Sequence, residues 1–384
     1  MPIKEAILAK ANQLGFPLVG VTAPDPPEHF STYQRWVGKG HHGEMAYLAT
    51  ERAFTQRVNP REILPGCRSI LVLIAPYPVP KPTKGTKAQA EKLSGRIASY
   101  AWGVDYHDVL LRQLAELAQF IVANTPPGTS CRSYTDTGPI LERDLAQRAG
   151  LGWAGKNTCL IHPKMGSYFF LAEIFLNLDL EPDEPFIKDY CGKCRRCIDA
   201  CPTGCILPER VLDARQCISY LTIELKNAIP VELRPFIDDW IFGCDICQQV
   251  CPWNERFASR LEISLFPPRR GVPTPNLLAE MDLSPGAFNE KFRGSPIKRA
   301  KRRGYLRNVA VALGNAQVEN ACGVLQRIIK LDPEPLVRSH AAWALGQIGG
   351  SGSQEALRQA LAQETAPEVA AEIHSALAHS SRIQ

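Results

Sequence analysis

Cysteine spacing is the feature of this sequence that points most directly to chemistry. One run reads Cys191-x2-Cys194-x2-Cys197-x3-Cys201-Pro202, and a partial copy reads Cys244-x2-Cys247-x3-Cys251-Pro252. The first run has the spacing of bacterial iron–sulfur motifs, in which the fourth cysteine ligates the other cluster. Ile241 stands where a strict second copy would have its first cysteine. The pattern predicts two four-iron clusters and electron transfer, with one ligand supplied from outside the two runs.

Crossed ligation assigns four cysteines to each cluster. The first cluster takes Cys191, Cys194, Cys197 and Cys251, and the second takes Cys201, Cys217, Cys244 and Cys247. Cys205, three residues after Pro202, is an alternative to Cys217 as the eighth ligand. Structural zinc is the other interpretation, since paired C-x2-C units also bind zinc. The third cysteine of the first run and the repeated Cys-Pro favour iron–sulfur clusters.

Composition excludes several classes of protein. The chain has 384 residues, 13 of them cysteine, with 45% hydrophobic residues and a formal net charge of +5. This length accommodates two or three folded domains. Its apolar runs are well short of the ~20 residues that cross a bilayer, and its N-terminus lacks a signal-peptide pattern. We therefore expect a cytoplasmic protein without a membrane segment, whose reduced thiols serve metal or redox chemistry.

An aspartate and a glycine-rich loop form a second candidate site. Asp136 precedes a Thr-Gly-Pro turn, where a carboxyl either caps the turn or donates a proton to a substrate. Further on, Gly150-x4-Gly155-Lys156 resembles a phosphate-binding loop, but Asn157 replaces the Ser or Thr that would hold magnesium. We expect this loop to bring backbone close to a bulky cofactor and not to bind a nucleotide.

The rest of the first 180 residues supplies elements that would position these groups. Hydrophobic periodicity predicts helices over residues 3–14 and 105–123, strands over 16–22, 69–75 and 130–135, and an exposed loop over 78–93. The alternation of helices and strands favours an α/β or α+β domain.

The C-terminal part is helical and repetitive. Ala312-Leu313-Gly314, Ala344-Leu345-Gly346 and Ala376-Leu377-Ala378 recur every 32 residues. The period suits stacked HEAT-type helix pairs, whose small residues permit close packing, and an ordinary helical bundle is the alternative. The predicted fold class is α+β multidomain, with an α/β domain over residues 1–180, a ferredoxin-like two-cluster domain over 181–281 and HEAT-like helices over 282–384.

Several motifs together resemble one family. They are Asp136-Thr137-Gly138-Pro139, Gly152-Trp153-Ala154-Gly155-Lys156-Asn157, Ala101-Trp102-Gly103-Val104-Asp105-Tyr106-His107 and the two cysteine runs. The combination resembles the epoxyqueuosine reductase (QueG) family over essentially the whole chain. The resemblance implies reduction of epoxyqueuosine to queuosine at the wobble position of tRNA anticodons, the last step of queuosine synthesis. It also implies two [4Fe-4S] clusters, base-off cobalamin resting as cob(II)alamin, and a first domain similar to the cobalamin domain of reductive dehalogenases.

The resemblance also implies roles for individual residues. It places the proton donor at Asp136, and it places Arg57, Lys156 and Asn157 near the corrinoid. Three further candidates, Ser219, Thr222 and Asp245, are polar residues beside cluster ligands, where a cofactor that takes up electrons should lie. Asp105-x-His107 begins like a cobalamin-binding motif, but Leu110 occupies its glycine position. We therefore do not expect His107 to ligate cobalt.

A basic run would serve an RNA substrate. Residues 291–307 contain eight basic residues and no acidic ones. A solvated helix face is one interpretation, and phosphate contacts at the start of a repeat array are the interpretation we favour. The predicted tRNA contacts are Lys298, Arg299, Lys301, Arg302, Arg303 and Arg307. Trp102, Tyr106 and Trp253 are either base-stacking residues or buried aromatic core.

Partners and alternatives complete the prediction. We expect a tRNA anticodon stem-loop as substrate, a low-potential electron donor, and a monomer. One alternative is a corrinoid iron–sulfur reductase of a small molecule, resembling the reductive dehalogenases, which would not need the basic run. Another is a non-enzymatic electron-transfer or scaffold protein, which would bind no corrinoid and would tolerate loss of Asp136.

Overall fold

The computed structural model describes residues 2–79, 93–258 and 265–380. Contacts group the chain into two compact units. The first unit comprises Met1–Pro80, Gly103–Arg215 and Asp245–Pro267, and the second comprises Lys81–Trp102, Gln216–Cys244 and Pro268–Gln384. The division into three consecutive domains stays a prediction.

The helices and strands follow in chain order. The helices are α1 (Ile3–Gln13), α2 (Phe30–Gly38), α3 (Glu51–Val58), α4 (Tyr106–Ala123), α5 (Glu142–Arg148), α6 (Arg196–Asp199), α7 (Ile218–Ile223), α8 (Arg234–Ile237), α9 (Ile246–Gln249), α10 (Pro252–Phe257), α11 (Leu277–Met281), α12 (Pro285–Lys291), α13 (Lys301–Ala316), α14 (Cys322–Leu331), α15 (Pro335–Ile348), α16 (Gly350–Leu361) and α17 (Pro367–Ser380). The strands are β1 (Leu18–Thr22), β2 (Ser69–Pro76), β3 (Arg96–Ile97), β4 (Cys131–Tyr134), β5 (Trp153–Ala154), β6 (Leu160–Ile161), β7 (Phe169–Leu176), β8 (Ile206–Leu207), β9 (Val211–Leu212) and β10 (Trp240–Phe242).

The first unit is built on a four-stranded sheet of order β1-β2-β7-β4. Every neighbouring pair is antiparallel, and β2 pairs with β7 along its whole length. All eight residues of β2 are buried, as a continuous apolar run at the centre of a sheet requires. The antiparallel order makes this unit α+β, one of the two arrangements that the sequence left open.

Helices on this sheet position the candidate residues. On one face, α5 and the residue that follows it pack on the sheet. Leu145, Ala146 and Ala149 share an apolar core there with Val72 and Phe175. The predicted helix over 105–123 is confirmed as α4, and Asp105 caps it by accepting the backbone N–H of His107 at 3.1 Å. The predicted helix over 3–14 and the three predicted strands are confirmed as α1, β1, β2 and β4.

The second unit contains the helical array, in which α13, α15 and α17 pack in succession. A Cβ atom at Gly314 would stand 2.9 Å from the Cα atom of Ala344, and one at Gly346 would stand 2.9 Å from the Cα atom of Ala376. The glycines of the 32-residue repeat therefore set the helix separation, as the HEAT interpretation predicts.

Two sequence predictions concern particular segments. The predicted loop over 78–93 falls largely outside the described residues. Within the part of the chain that the structure describes, no helix has both the length and the apolar character needed to span a bilayer.

Candidate active site and iron–sulfur centre

Asp136 stands just beyond β4 in a backbone conformation that few residues adopt. Its φ of 55° lies in the left-handed region, which aspartate tolerates better than most side chains. The preceding Thr135 is buried, and its hydroxyl donates to the carbonyl oxygen of Leu171 on β7 at 2.9 Å. An anchored strand end followed by a left-handed residue presents the Asp136 side chain to the outside, where it is 64% exposed.

Two neighbours hold Asp136 by hydrogen bonds. The hydroxyl of Tyr106 donates to Asp136 Oδ2 at 2.5 Å, and the backbone N–H of Asp136 donates to Glu142 Oε1 at 2.7 Å. The Tyr106 ring is itself fixed, because it stacks on Phe170 with centroids 4.2 Å apart. The sequence interpretation missed Glu142, although its position six residues after Asp136, at the start of a helical pattern, was visible.

His107 lies between two carboxyl groups. Its Nδ1 atom is 2.8 Å from Asp105 Oδ1, and its Nε2 atom is 4.0 Å from Asp136 Oδ2. Burial disfavours the charged imidazole, but the hydrogen bond with Asp105 and the charges of Asp105, Asp136 and Asp108 together outweigh it, so the pKa of His107 is raised. That His107 does not ligate cobalt stays a prediction, since a carboxylate on one ring nitrogen is also common in metal-ligating histidines.

Arg57 belongs to the same region of the first unit. It is buried on α3, its guanidinium lies 5.1 Å from the Tyr33 ring centroid, and it donates to the carbonyl oxygen of Ala53. Burial lowers the pKa of Arg57, and the nearby Glu142 carboxyl opposes that shift. The structure therefore brings this predicted cofactor residue close to the carboxyl group that holds Asp136.

Four cysteines of the first unit line one cavity of about 250 Å³. They are Cys191, Cys194, Cys197 and Cys251, the set that crossed ligation assigns to the first cluster. Trp153 packs behind them with Cys251 in a small apolar core, and its indole N–H donates to Cys191 Sγ at 3.5 Å. Sulfur donors around a cavity of this size suit a multinuclear cluster.

Over residues 2–79, 93–258 and 265–380, no three His, Cys, Asp or Glu side chains converge in a way that would hold a single metal ion. The choice between zinc and iron–sulfur clusters therefore rests on the cysteine motif, whose third cysteine and repeated Cys-Pro favour the clusters.

Lys156 and Asn157 both contact the backbone of the cysteine segments. Its ammonium donates to the carbonyl oxygens of Gly192 at 2.6 Å and Cys194 at 2.9 Å, so it holds the loop of the first cysteine run. Asn157 is buried in the same cavity wall and donates weakly to the carbonyl oxygen of Cys247 at 3.4 Å. Both side chains thus have partners in the cysteine segments, and their assignment to the corrinoid stays a prediction. A phosphate-binding loop leads into a helix, whereas no helix begins at Lys156 in this structure.

The three polar residues predicted beside cluster ligands, Ser219, Thr222 and Asp245, differ in burial and hydrogen bonding. Thr222 is fully buried, its hydroxyl donates to the carbonyl oxygen of Ile218 at 2.8 Å, and it accepts the N–H of Gly243 at 2.9 Å. Both hydrogen bonds of this hydroxyl serve the fold of the second unit, and its assignment as a cofactor contact stays a prediction. Ser219 is half-buried on α7, and Asp245 is buried at the start of α9. Both stay predictions.

Two cysteines outside the predicted ligand set lie beside members of it. Cys205 Sγ is 3.5 Å from Cys201 Sγ, and Cys159 forms a thiol hydrogen bond with Cys247. Sequence spacing gave a reason to consider Cys205 but none for Cys159, because tertiary folding alone brings Cys159 to the second run.

The structure corrects part of the predicted RNA surface. Arg307 is fully buried and donates to the carbonyl oxygens of Leu221, Leu225 and Asn227 at 2.5–2.9 Å. Arg302 forms a bidentate ion pair with the buried Asp332. The buried Arg307 cannot contact phosphate without breaking the fold, so its assignment is wrong. The side chain of Arg302 is 14% exposed, and its assignment stays a prediction.

The other predicted RNA contacts remain accessible. Arg299 is exposed, although it pairs with Glu224 at 2.9 Å. Lys298 and Lys301 are exposed, and Arg303 is partly exposed.

The aromatic candidates for RNA stacking are mostly structural. Tyr106 is buried against Phe170 and holds Asp136. Trp253 lines the cysteine cavity and packs edge-on against Trp153. Trp102 is half-buried and donates its indole N–H to the carbonyl oxygen of Ile97. The core interpretation holds for Tyr106.

Fold and site together define an iron–sulfur oxidoreductase with an α+β unit and a HEAT-type helical array. Family comparisons agree: residues 190–254 match a 4Fe-4S double cluster binding domain, residues 300–378 match HEAT repeats, and residues 57–137 match the epoxyqueuosine reductase QueG domain DUF1730. The epoxyqueuosine reductase of Pseudomonas aeruginosa is 40% identical over 347 residues, which span 90% of this chain and 95% of that protein. The chain belongs to the epoxyqueuosine reductase family.

Solved structures of this family match the whole chain. A crystal structure of an epoxyqueuosine reductase with an epoxyqueuosine-modified tRNA-Tyr stem loop is 33% identical, with a TM-score of 0.89 and 99% of both chains covered. The Bacillus subtilis enzyme, with its catalytic aspartate loop swung out of the active site, is 32% identical, with a TM-score of 0.88 and 98% of both chains covered. The matched domain gives this chain two [4Fe-4S] clusters.

Proposed function

We propose that this chain reduces epoxyqueuosine to queuosine in the anticodon stem-loop of tRNA. The observation that carries the proposal is Asp136, an accessible carboxyl on a left-handed turn, held by Tyr106 and Glu142 in the same unit as the four cysteines assigned to the first cluster. The relatives described above are epoxyqueuosine reductases, and the structure of one of them contains an epoxyqueuosine-modified tRNA stem loop.

The stoichiometry explains why these parts occur together. An epoxide, two electrons and two protons give an alkene and water, so both C–O bonds of the ring break and two O–H bonds form. The clusters deliver electrons singly, and cobalamin, when bound, supplies the strongly reducing metal centre that the protein side chains lack. Asp136 donates a proton to the departing oxygen, and Tyr106 orients its carboxyl.

The residues present fit the cofactors to different degrees. Cys191, Cys194, Cys197 and Cys251 would hold the first cluster, and Cys201, Cys217, Cys244 and Cys247 the second, with Cys205 as the alternative to Cys217. Cobalamin would lie against the face that Asp136 presents, with Arg57 and Asp245 of the same unit as candidate contacts. Ser219 is a separate candidate from the sequence. Tyr168 offers a further polar group near Asp245. Its buried hydroxyl has no hydrogen-bond partner among the described residues, so it is available to a bound cofactor.

Substrate recognition uses the accessible part of the basic run. We assign phosphate contacts to Lys298, Lys301 and Arg303, with Arg299 available if its ion pair with Glu224 opens. A modified base in a single-stranded loop can leave its stack more easily than one in a duplex, which favours the anticodon loop. We infer that the enzyme acts as a cytoplasmic monomer and takes electrons from a low-potential donor.

The test is anaerobic reconstitution with iron, sulfide and cobalamin, followed by reaction with an epoxyqueuosine-containing stem-loop. Wild-type protein should yield the alkene nucleoside, whereas Asp136→Asn should yield little. Asp108→Asn is the matched control, because Asp108 is an exposed carboxylate in the first turn of α4. Reduction of halogenated small molecules without reduction of the RNA would instead support the small-molecule reductase.

A further inference from the structure

Glu173 is a buried carboxyl group without a hydrogen-bond partner among the described residues. It lies in the middle of β7 and is fully buried. Its register partners are Val72 on β2 and Tyr134 on β4, whose buried hydroxyl also has no partner in that part of the chain. Because an ionised carboxyl is strongly disfavoured in such surroundings, Glu173 carries a proton.

Glu173 faces the element that bears Glu142. Leu171 and Phe175, two residues to either side of Glu173 on β7, contact the apolar core formed with Leu145 and Ala146 of α5. Alternate residues of a strand point to the same face, so Glu173 also lies beneath α5. Glu142 is the first residue of this helix, and it accepts the Asp136 N–H.

Three carboxyl groups therefore influence one another. Burial, followed by the charge of Asp136, raises the pKa of Glu142 to about 8, against the opposing charges of Arg143 and Arg57. Burial also raises the pKa of Glu173 far above its ordinary range, with Glu142 and Asp136 adding to the shift. Tyr106 and His107 of α4 face the same group from the Asp136 side. Neighbouring carboxyls cannot all ionise together, so the group retains protons at neutral pH.

The reaction needs such a store. Two protons are consumed in each turnover, whereas a single carboxyl delivers one before it must be recharged. The Asp136 side chain is 64% exposed, its carboxyl accepts from Tyr106, and its backbone N–H donates to the Glu142 carboxyl. An acid in this position needs a neighbour that holds a proton.

We propose that Glu142, seated above the buried Glu173, is the proton reservoir of Asp136, an inference that rests on the proposed epoxide reduction. Asp136 gives its proton to the epoxide oxygen, and its carboxylate regains a proton from Glu142, which solvent then recharges. Glu173 stays protonated throughout and disfavours charge beneath Glu142. Glu142 is thus a positioning and proton-supplying residue that acts through Asp136.

Glu142→Gln tests this role, because the amide oxygen still accepts the Asp136 N–H but the side chain cannot store a proton. We expect alkene formation to fall at least about tenfold at roughly pH 8 and to recover as the pH is lowered. Glu142→Asp should restore part of the activity at the higher pH. Glu51→Gln, at an exposed glutamate of α3, is the control and should match wild type at both pH values. A pH profile of Glu142→Gln that superimposes on wild type would overturn the proposal.

A second measurement needs no turnover. Infrared difference spectra at neutral pH should show protonated carboxyl bands that are lost in Glu142→Gln and Glu173→Gln but kept in Glu51→Gln. Hydrogen exchange at the Asp136 amide should stay slow in Glu142→Gln and become fast in Glu142→Ala. Absence of the protonated bands in wild type contradicts the reservoir. If the bands are present but wild-type protein forms no alkene, the proposed function fails instead, and the carboxyl group needs another substrate.

Discussion

Arg307 separates structure from RNA binding within the basic run. Its guanidinium donates to the carbonyl oxygens of Leu221, Leu225 and Asn227. In Arg307→Ala these three carbonyl groups lose a buried donor, at about 1–3 kcal/mol each. The expected loss of stability is therefore at least about 3 kcal/mol. For a domain of this size, about 2–4 °C of melting temperature corresponds to 1 kcal/mol, so the melting midpoint should fall by roughly 6–12 °C.

The assay compares melting with salt-dependent RNA binding. Arg307→Ala should lower the melting midpoint while leaving the slope of log K against log salt unchanged at a temperature where the variant is folded. Lys301→Ala and Arg303→Ala should do the opposite: melting stays near wild type, and each removes about 0.7 from the slope for a single-stranded contact. An Arg307→Ala protein that melts like wild type but has a reduced salt slope would refute the reasoning.

Further predictions concern packing, titration and ligation. Gly346→Val should destabilise the array by about 1–3 kcal/mol, because a Cβ there would stand 2.9 Å from the Cα atom of Ala376. Gly352→Ala, with open space around it, should be neutral or stabilising in thermal melts. His340 is buried, accepts the Ile229 N–H, and has its pKa held well below 6.5 by burial. Its contribution to stability is therefore full above about pH 6.5 and is lost as the pH falls below that value, and His340→Gln should flatten this acid-side decline in melting temperature. Lys156→Met should leave RNA affinity unchanged but speed loss of iron from the protein, measured by chelator challenge, because the ammonium holds the Gly192 and Cys194 carbonyls. Comparison of iron and sulfide content in Cys217→Ser and Cys205→Ser identifies the eighth ligand, and a loss confined to Cys205→Ser would contradict our assignment.

Local sequence signals predicted the elements well. Apolar periodicity located α1 and α4 to within a residue or two, because each buries one face and has a recognisable end. The spacing of Gly314 and Gly346 predicted close helix packing correctly, since only a residue without Cβ fits against Ala344 and Ala376. The spacing of the cysteines grouped Cys191, Cys194, Cys197 and Cys251 together, and these four line one cavity in the structure.

Long-range partners were beyond the reach of such signals. A basic residue looks the same in sequence whether it contacts phosphate or buried carbonyls, so Arg307 was assigned to RNA although the fold encloses it. Lys156 was assigned to the corrinoid from the family resemblance and Thr222 from its place beside a cluster ligand, and neither signal shows that their hydrogen bonds go to Cys194 and Gly243. Glu173 looks like an outward-facing strand residue until the sheet and α5 are assembled around it.

The most direct test of the account is single-turnover formation of the alkene nucleoside by reconstituted protein. With reduced clusters and bound cobalamin, wild type and Asp108→Asn should convert an epoxyqueuosine stem-loop at equal rates. Asp136→Asn should be slower by about 100-fold or more, the usual contribution of a positioned acid, with RNA affinity unchanged. Equal rates for Asp136→Asn and wild type would contradict the central claim that Asp136 is the acid of an epoxide reduction.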